Sequence, residues 1–278
     1  MVKSLKEYGF NTENKTYIIA EIGINHRGSV EVAKELIDSA VRAGVDAVKF
    51  QTYLTEQRAP KGNNEVFKIL KDLELPFEAF KELKDHASQY NVDFFSTPFD
   101  KESVEYLESI GTDLYKIASF DIVNHKLLKE VASTGKPVIL SVGMSNLDEI
   151  KEAYNILKVG TKNIAILHCI SSYPTQEEDA KLSNIAKLQN EFDCIIGQSD
   201  HTNDIQVPLY AAAAGARILE KHFKIDDNFE CVDAPVSITE KQMKKLVDEI
   251  RRIEKIFGAT EFGLREAEQG TEVFRRPS

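Results

Sequence analysis

Short runs of apolar, often β-branched residues recur along the chain, and each is followed by a longer stretch with apolar positions three and four apart. The short runs predict strands at 17–23, 46–53, 92–99, 114–119, 137–143, 163–169, 194–200 and 217–223. The helical spacing predicts helices at 30–43, 77–90, 102–110, 125–133, 147–157, 179–190 and 205–214, and a last one at 239–257 with Thr239 as its N-cap. Glycines stand where helix C-caps belong, at Gly44, Gly111, Gly135, Gly160 and Gly215, each a few residues before the next apolar run. Eight strands alternating with eight helices, joined as right-handed βαβ units, predict an α/β fold of the (β/α)8 TIM-barrel type. An open doubly wound sheet is the alternative, and the absence of G-x-G-x-x-G after the first strand counts against its dinucleotide-binding form. The barrel takes residues 17–257, with 1–16 as an N-terminal extension and 258–278 as a tail that reads as a linker remnant. The segment 54–75 is long for a βα connection and is expected to cover the barrel mouth.

Composition narrows the partners. A chain of 278 residues suits one barrel domain. A net charge of −10 without any Lys/Arg-rich run excludes a nucleic-acid surface, yet a few well-placed cations can still hold an anionic small molecule. Cys169, Cys194 and Cys231 are odd in number and form no C-x-x-C pair, so no disulfide framework is expected and a reducing cytoplasm is the simpler setting. No apolar run approaches membrane-spanning length, and the first residues do not resemble a secretory signal, so no membrane partner is expected.

Catalysis on such a barrel gathers at the C-terminal ends of the strands. Polar residues collect there on every predicted strand: Glu21, then Asn25 and His26; Lys49 and Gln51; Ser96 and Thr97; Lys116 and Ser119; Ser141; His168, Ser171 and Tyr173; Ser199, Asp200 and His201; Glu220, Lys221 and His222. A lone lysine in an apolar strand is usually an ion-paired or outward residue. Lys49 and Lys116 together, among serines and a threonine, make a cradle suited to phosphate and carboxylate. His201 and His222 end consecutive strands, close enough to share one divalent ion with positions left for substrate and water. His168 is expected to hydrogen-bond in the core, His86 and His125 to be solvated on helices, and Cys169 to be a buried small residue without nucleophilic character.

The segments EIGINH, VKFQT, FFSTPFD, YKIAS, LSVGMS, LHCISSYPT, GQSDHT and LEKHF follow one another in that order. In this the chain resembles the sialic acid synthase (N-acetylneuraminate synthase) family, including legionaminic and other nonulosonic acid synthases, over residues 17–237. The resemblance implies a TIM barrel that condenses phosphoenolpyruvate with an N-acylated amino-sugar aldehyde. It implies phosphoenolpyruvate contacts at Lys49, Thr97, Lys116, Ser119, Ser141 and Ser199, and sugar contacts at Gln51, Ser171, Tyr173 and Asp233. It also implies a metal, Mn²⁺ or else Mg²⁺, on His201 and His222, with Glu21 handling a proton or water. Glu21, Lys49, Lys116, His201 and His222 are then the catalytic group, and a homodimer is the implied assembly. The chain departs from the family at Ser171, where an asparagine is usual, and after Phe223, where only Asp233 of the familiar segment stands out. The family's C-terminal antifreeze-like domain is expected to be absent here. Two other readings stay open on the residues alone: a metal-dependent aldolase that does not use phosphoenolpyruvate, and a non-catalytic sugar-binding barrel.

Overall fold

The computed structural model describes residue 6 and residues 15–59, 62–258 and 261–276. Eight parallel strands close into a barrel in sequence order: β1 (Tyr17–Gly23), β2 (Ala47–Thr52), β3 (Asp93–Pro98), β4 (Tyr115–Ile117), β5 (Val138–Ser141), β6 (Ile164–Cys169), β7 (Ile195–Asp200) and β8 (Ile218–His222). Closure is direct, with Tyr17 opposite Ile218 and Glu21 opposite His222. The fold is the (β/α)8 barrel that the alternation predicts, and the open sheet is excluded.

The helices are α1 (Val30–Ala43), α2 (Thr55–Arg58), α3 (Asn64–Leu73), α4 (Phe77–Ser88), α5 (Lys101–Ser109), α6 (His125–Ser133), α7 (Leu147–Lys158), α8 (Ser183–Glu191), α9 (Gln206–Ala213) and α10 (Glu240–Phe257). Local chemistry sets their ends. Ser29, Asn63, Asp100 and Asn124 each accept a backbone N–H of the first turn, and Thr239 with Gln242 closes a reciprocal capping box on α10. Four of the five predicted glycine stops adopt positive φ; Gly160 does not. Gly160 is required for close approach instead: a Cβ there would lie 1.7 Å from the Ala132 carbonyl oxygen.

The expected helix at 179–190 begins four residues late, at Ser183. Lys181 takes a left-handed φ of 46°, which interrupts helical propagation just before it. The segment after β2 is not an open loop: α2 and α3 pack over the mouth, and Leu70 joins Ile24 and Tyr53 in a small apolar cluster there.

Strand alternation sorts the side chains into two layers. Outward residues such as Ile18, Val48, Val138, Leu140 and Leu219 meet the helices in the main core. Inward residues Tyr17, Ile19, Ala47, Phe95, Leu114, Ile139, Ala165, Leu167 and Ile218 fill the lower barrel. Gly197 belongs to this plug, since a Cβ there would come within 2.3 Å of the Ile218 carbonyl. Above the plug the inward positions turn polar. Among the described residues no helix is long and apolar enough to cross a membrane.

Candidate active site

A cavity of ≈ 220 Å³ opens above the apolar plug at the C-terminal end of the strands. It exists because each strand that supplies an apolar residue below supplies a polar one two positions on: Ile19 then Glu21, Ala47 then Lys49 and Gln51, Phe95 then Thr97, Ile139 then Ser141, Ile218 then Glu220 and His222. Lys116, Ser119, Tyr173, Ser199, His201 and Asp233 complete the lining from the other strands and loops. Thus Glu21, Lys49, Gln51, Thr97, Lys116, Ser119, Ser141, Tyr173, Ser199, His201, His222 and Asp233, twelve of the thirteen sequence-predicted residues, meet in one cavity.

Ser171 is the exception. It does not line the cavity; its hydroxyl lies 4.0 Å from Cys169 Sγ, on the side where any Cβ on Gly143 would strike it. The loop leaving β6 carries Ser171 beside the end of β5, so the predicted sugar contact at this residue is not supported.

One half of the cavity is ionic. Lys49 Nζ lies 2.9 Å from Glu21 Oε2 and 3.4 Å from Glu220 Oε2, and donates to Thr97 Oγ1 at 3.0 Å. Lys116 Nζ lies 3.6 Å from Glu220 Oε1 and donates to the Ile117 carbonyl at 3.1 Å. Ser199 Oγ donates to Glu220 Oε1 at 2.7 Å. Glu220, to which the sequence pattern assigned no role, is therefore the carboxylate that links both ammonium groups. Burial opposes its charge, but Lys116 and Lys49 outweigh burial and hold its carboxyl below the usual range. Glu21 goes the other way: burial, aided by the neighbouring Glu220 charge, raises it against the pull of Lys49. Burial depresses Lys116, whereas the two carboxylates carry Lys49 above the ordinary lysine value despite its burial. Ser119 Oγ accepts the Gly143 N–H at 2.9 Å, while the buried hydroxyl of Ser141 has no hydrogen-bond partner.

The other half is aromatic and imidazole-rich. The His201 and His222 rings lie 5.4 Å apart, and Tyr173 stacks on His201 at 4.1 Å. His201 Nδ1 is 2.7 Å from the Ile170 carbonyl, which can only accept, so the ring donates there and keeps Nε2 for another partner. His222 Nδ1 faces Asp233 Oδ2 at 3.3 Å. Burial lowers the His222 pKa, but Asp233 more than offsets this and leaves it raised. His201 is thus braced through Nδ1 by a carbonyl, the arrangement in which metal-binding histidines are held, whereas His222 Nδ1 faces the Asp233 carboxylate without a hydrogen bond. Among the described residues no group of three His, Cys, Asp or Glu side chains is placed to hold a metal. The pair does not make a closed structural metal site.

The residues around this rim explain other expectations. Asn25 donates to Phe223 O at 2.9 Å and Ser237 Oγ at 3.0 Å, and accepts from Asp233 N at 3.2 Å, so it fixes the loop that presents Asp233. Buried His26, lowered by burial to about 4, is a neutral acceptor for Gly28 N. His168 hydrogen-bonds to Ala180 O at 2.7 Å and lies outside the cavity, as expected of a core histidine. His86 is not simply solvated: it pairs with Asp38 at 2.7 Å, and His125 lies 3.6 Å from Glu152. Lys221 and Asp200 point outward from the barrel and pair with each other at 2.6 Å.

Arg58, on α2, enters the cavity wall without any forewarning in the strand pattern. Its guanidinium covers the Phe99 ring at 3.9 Å and the Tyr53 ring at 4.4 Å, and donates to Gln51 Oε1 at 2.7 Å. Gln51 in turn donates to Glu21 Oε1 at 3.0 Å.

Known proteins resemble this chain along most of its length. The family model described as the NeuB family matches residues 36–262. The N,N'-diacetyllegionaminic acid synthase of Campylobacter jejuni is 41% identical over 88% of this chain and 78% of its own length. The mouse N-acetylneuraminate-9-phosphate synthase is 33% identical over 87% of this chain and 71% of its own. A crystal structure of the N-acetylneuraminic acid synthetase of Leptospira borgpetersenii, solved with citrate, superposes with a TM-score of 0.91 at 40% identity, covering 94% of this chain and 92% of that one. With a family match across most of its barrel and relatives that are sialic and legionaminic acid synthases, this chain belongs to the NeuB family.

Proposed function

We propose that this protein condenses phosphoenolpyruvate with an N-acylated amino-sugar aldehyde, giving a nonulosonic acid and inorganic phosphate. The observation that carries the reading is the union, in one cavity, of two buried ammonium groups, an unpartnered Ser141 hydroxyl and two imidazoles whose rings lie 5.4 Å apart. Lys49, Lys116, Ser119, Ser141, Ser199 and Thr97 supply donors for the phosphate and carboxylate of phosphoenolpyruvate. Gln51, Tyr173 and Asp233 line the side left for the sugar.

A divalent ion, Mn²⁺ with Mg²⁺ as the alternative, would be held by His201 and His222. When bound, such an ion supplies Lewis-acid polarisation of the aldehyde oxygen. In the bond-making step C3 of phosphoenolpyruvate attacks the aldehyde carbon, and positive charge develops at C2. Water then adds at C2, and cleavage of the C2–O bond releases phosphate. Glu21, raised by burial and held between Lys49 and Gln51, is suited to take the proton from that water. Lys49 and Lys116 stabilise charge on the departing phosphate. Glu220 pairs with both lysines and aims them before substrate arrives.

The test is phosphate release by the full chain with phosphoenolpyruvate across a panel of N-acylated hexosamine aldehydes, with Mn²⁺ and with chelator. Release that needs both substrates and the metal supports the reading. Release from no aldehyde rejects it.

A further inference from the structure

We propose that Arg58 determines which acceptor the enzyme takes, by donating from its NH1 nitrogen to an uncharged oxygen of the sugar, and that it thereby selects an unphosphorylated sugar over its phosphate ester. This inference rests on the synthase reading above and specifies its second substrate. Three observations carry it.

First, Arg58 is fixed in place: stacked on Phe99 and Tyr53, it spends NH2 on Gln51. NH1 is buried and has no hydrogen-bond partner. A buried N–H left unpaired is costly, so a site built this way is completed by an incoming acceptor. Second, the residue lines the catalytic cavity together with Gln51 and Asp233. Third, the carboxylates of Asp233 and Glu21 line the same cavity as the guanidinium. Asp233, Asp121 and Glu21 all act on the guanidinium. A dianionic phosphate ester beside Arg58 would meet the Asp233 and Glu21 carboxylates and one cation already shared with them, whereas a carbonyl or hydroxyl oxygen meets a spare donor.

The experiment uses the full chain as wild type, R58A and R58K, with Mn²⁺ and phosphoenolpyruvate. The acceptors are an N-acetylated hexosamine, its 6-phosphate and the corresponding free amine. Wild type is expected to prefer the unphosphorylated sugar. R58A is expected to raise the KM for that sugar about ten- to a hundredfold, the range of one hydrogen bond from a charged donor. The KM for phosphoenolpyruvate should stay within about twofold, because Arg58 contacts Gln51, Tyr53 and Phe99 and none of the groups offered to phosphoenolpyruvate. R58K keeps the charge but loses the planar fork, and should retain most of the defect. A larger loss for the acetylated sugar than for the amine assigns the bond to the amide carbonyl, and an equal loss assigns it to a hydroxyl; both support the proposal.

Titration of wild type and R58A with the sugar alone separates this claim from turnover. Tighter binding by wild type upholds it even if no aldehyde is turned over, an outcome that sinks only the synthase reading. Equal affinity, or none by wild type, overturns it. So does a preference for the 6-phosphate that R58A abolishes, full recovery in R58K, or an equal rise in both KM values.

Discussion

Glu220→Gln removes one negative charge from a buried cluster of two lysines and two glutamates and changes almost nothing in volume. In the native cavity the Glu220 carboxylate is 3.4 Å from Lys49 Nζ and 3.6 Å from Lys116 Nζ. With an effective dielectric constant of about 20, each attraction is worth about 5 kcal/mol before desolvation is counted. Restoring water to a carboxylate offsets several kcal/mol of that, so breaking the cluster should cost about 3–5 kcal/mol. For a chain of 278 residues, with an unfolding entropy of about 2 cal/mol/K per residue, this lowers Tm by about 5–9 °C. The loss also has a specific cure. Two ammonium groups left with only Glu21 between them should bind an anion more strongly than before, so inorganic phosphate should raise the Tm of Glu220→Gln more than that of wild type. Differential scanning calorimetry in chloride and in phosphate buffers measures both effects. A Tm within about 1 °C of wild type, or equal phosphate shifts in the two proteins, would refute the assignment of Glu220 as the shared counter-ion.

Glu21→Gln should lower kcat about 10²–10⁴-fold while the circular dichroism spectrum is unchanged; full turnover in that variant removes Glu21 as the base. Because the Glu21 carboxyl is raised and a base must be ionised, kcat/KM should fall as pH drops through a value above the ordinary carboxylate range, seen in a pH–rate profile. Chelation should abolish phosphate release in wild type and Mn²⁺ should restore it, whereas His201→Ala and His222→Ala should stay inactive after Mn²⁺ is returned. Gly160→Ala forces a methyl into the Ala132 carbonyl at 1.7 Å and should cost about 1–3 kcal/mol, read as a Tm drop of about 2–5 °C. Gly62→Ala, where nothing lies within 4 Å, meets only backbone strain and should cost less.

What the sequence reveals and what it hides divide along the strand pattern. Alternation is a strong constraint in a closed barrel, because a residue of the wrong parity leaves either the core or the cavity. That is why Lys49, Lys116, Ser141 and His222 could be placed in advance, and why the barrel itself was legible. The same rule would have placed Glu220: Ile218 is in the apolar plug, so Glu220 and His222 must share the inward face while Lys221 turns outward. Loops carry no such parity. Ser171 follows the end of β6, and nothing in its spacing says that it turns towards Gly143 instead of the cavity. Arg58 is harder still, since it sits on a four-residue helix whose position is set by Tyr53, Phe99 and Gln51 after the chain has folded. Its sequence surroundings offer neither periodicity nor a motif. The ionic half of the cavity thus follows from strand geometry that any chain with this pattern must obey. The proposed acceptor side depends on residues outside the strands, such as Arg58 on its short helix, and strand parity leaves such positions free to vary among chains that share the barrel.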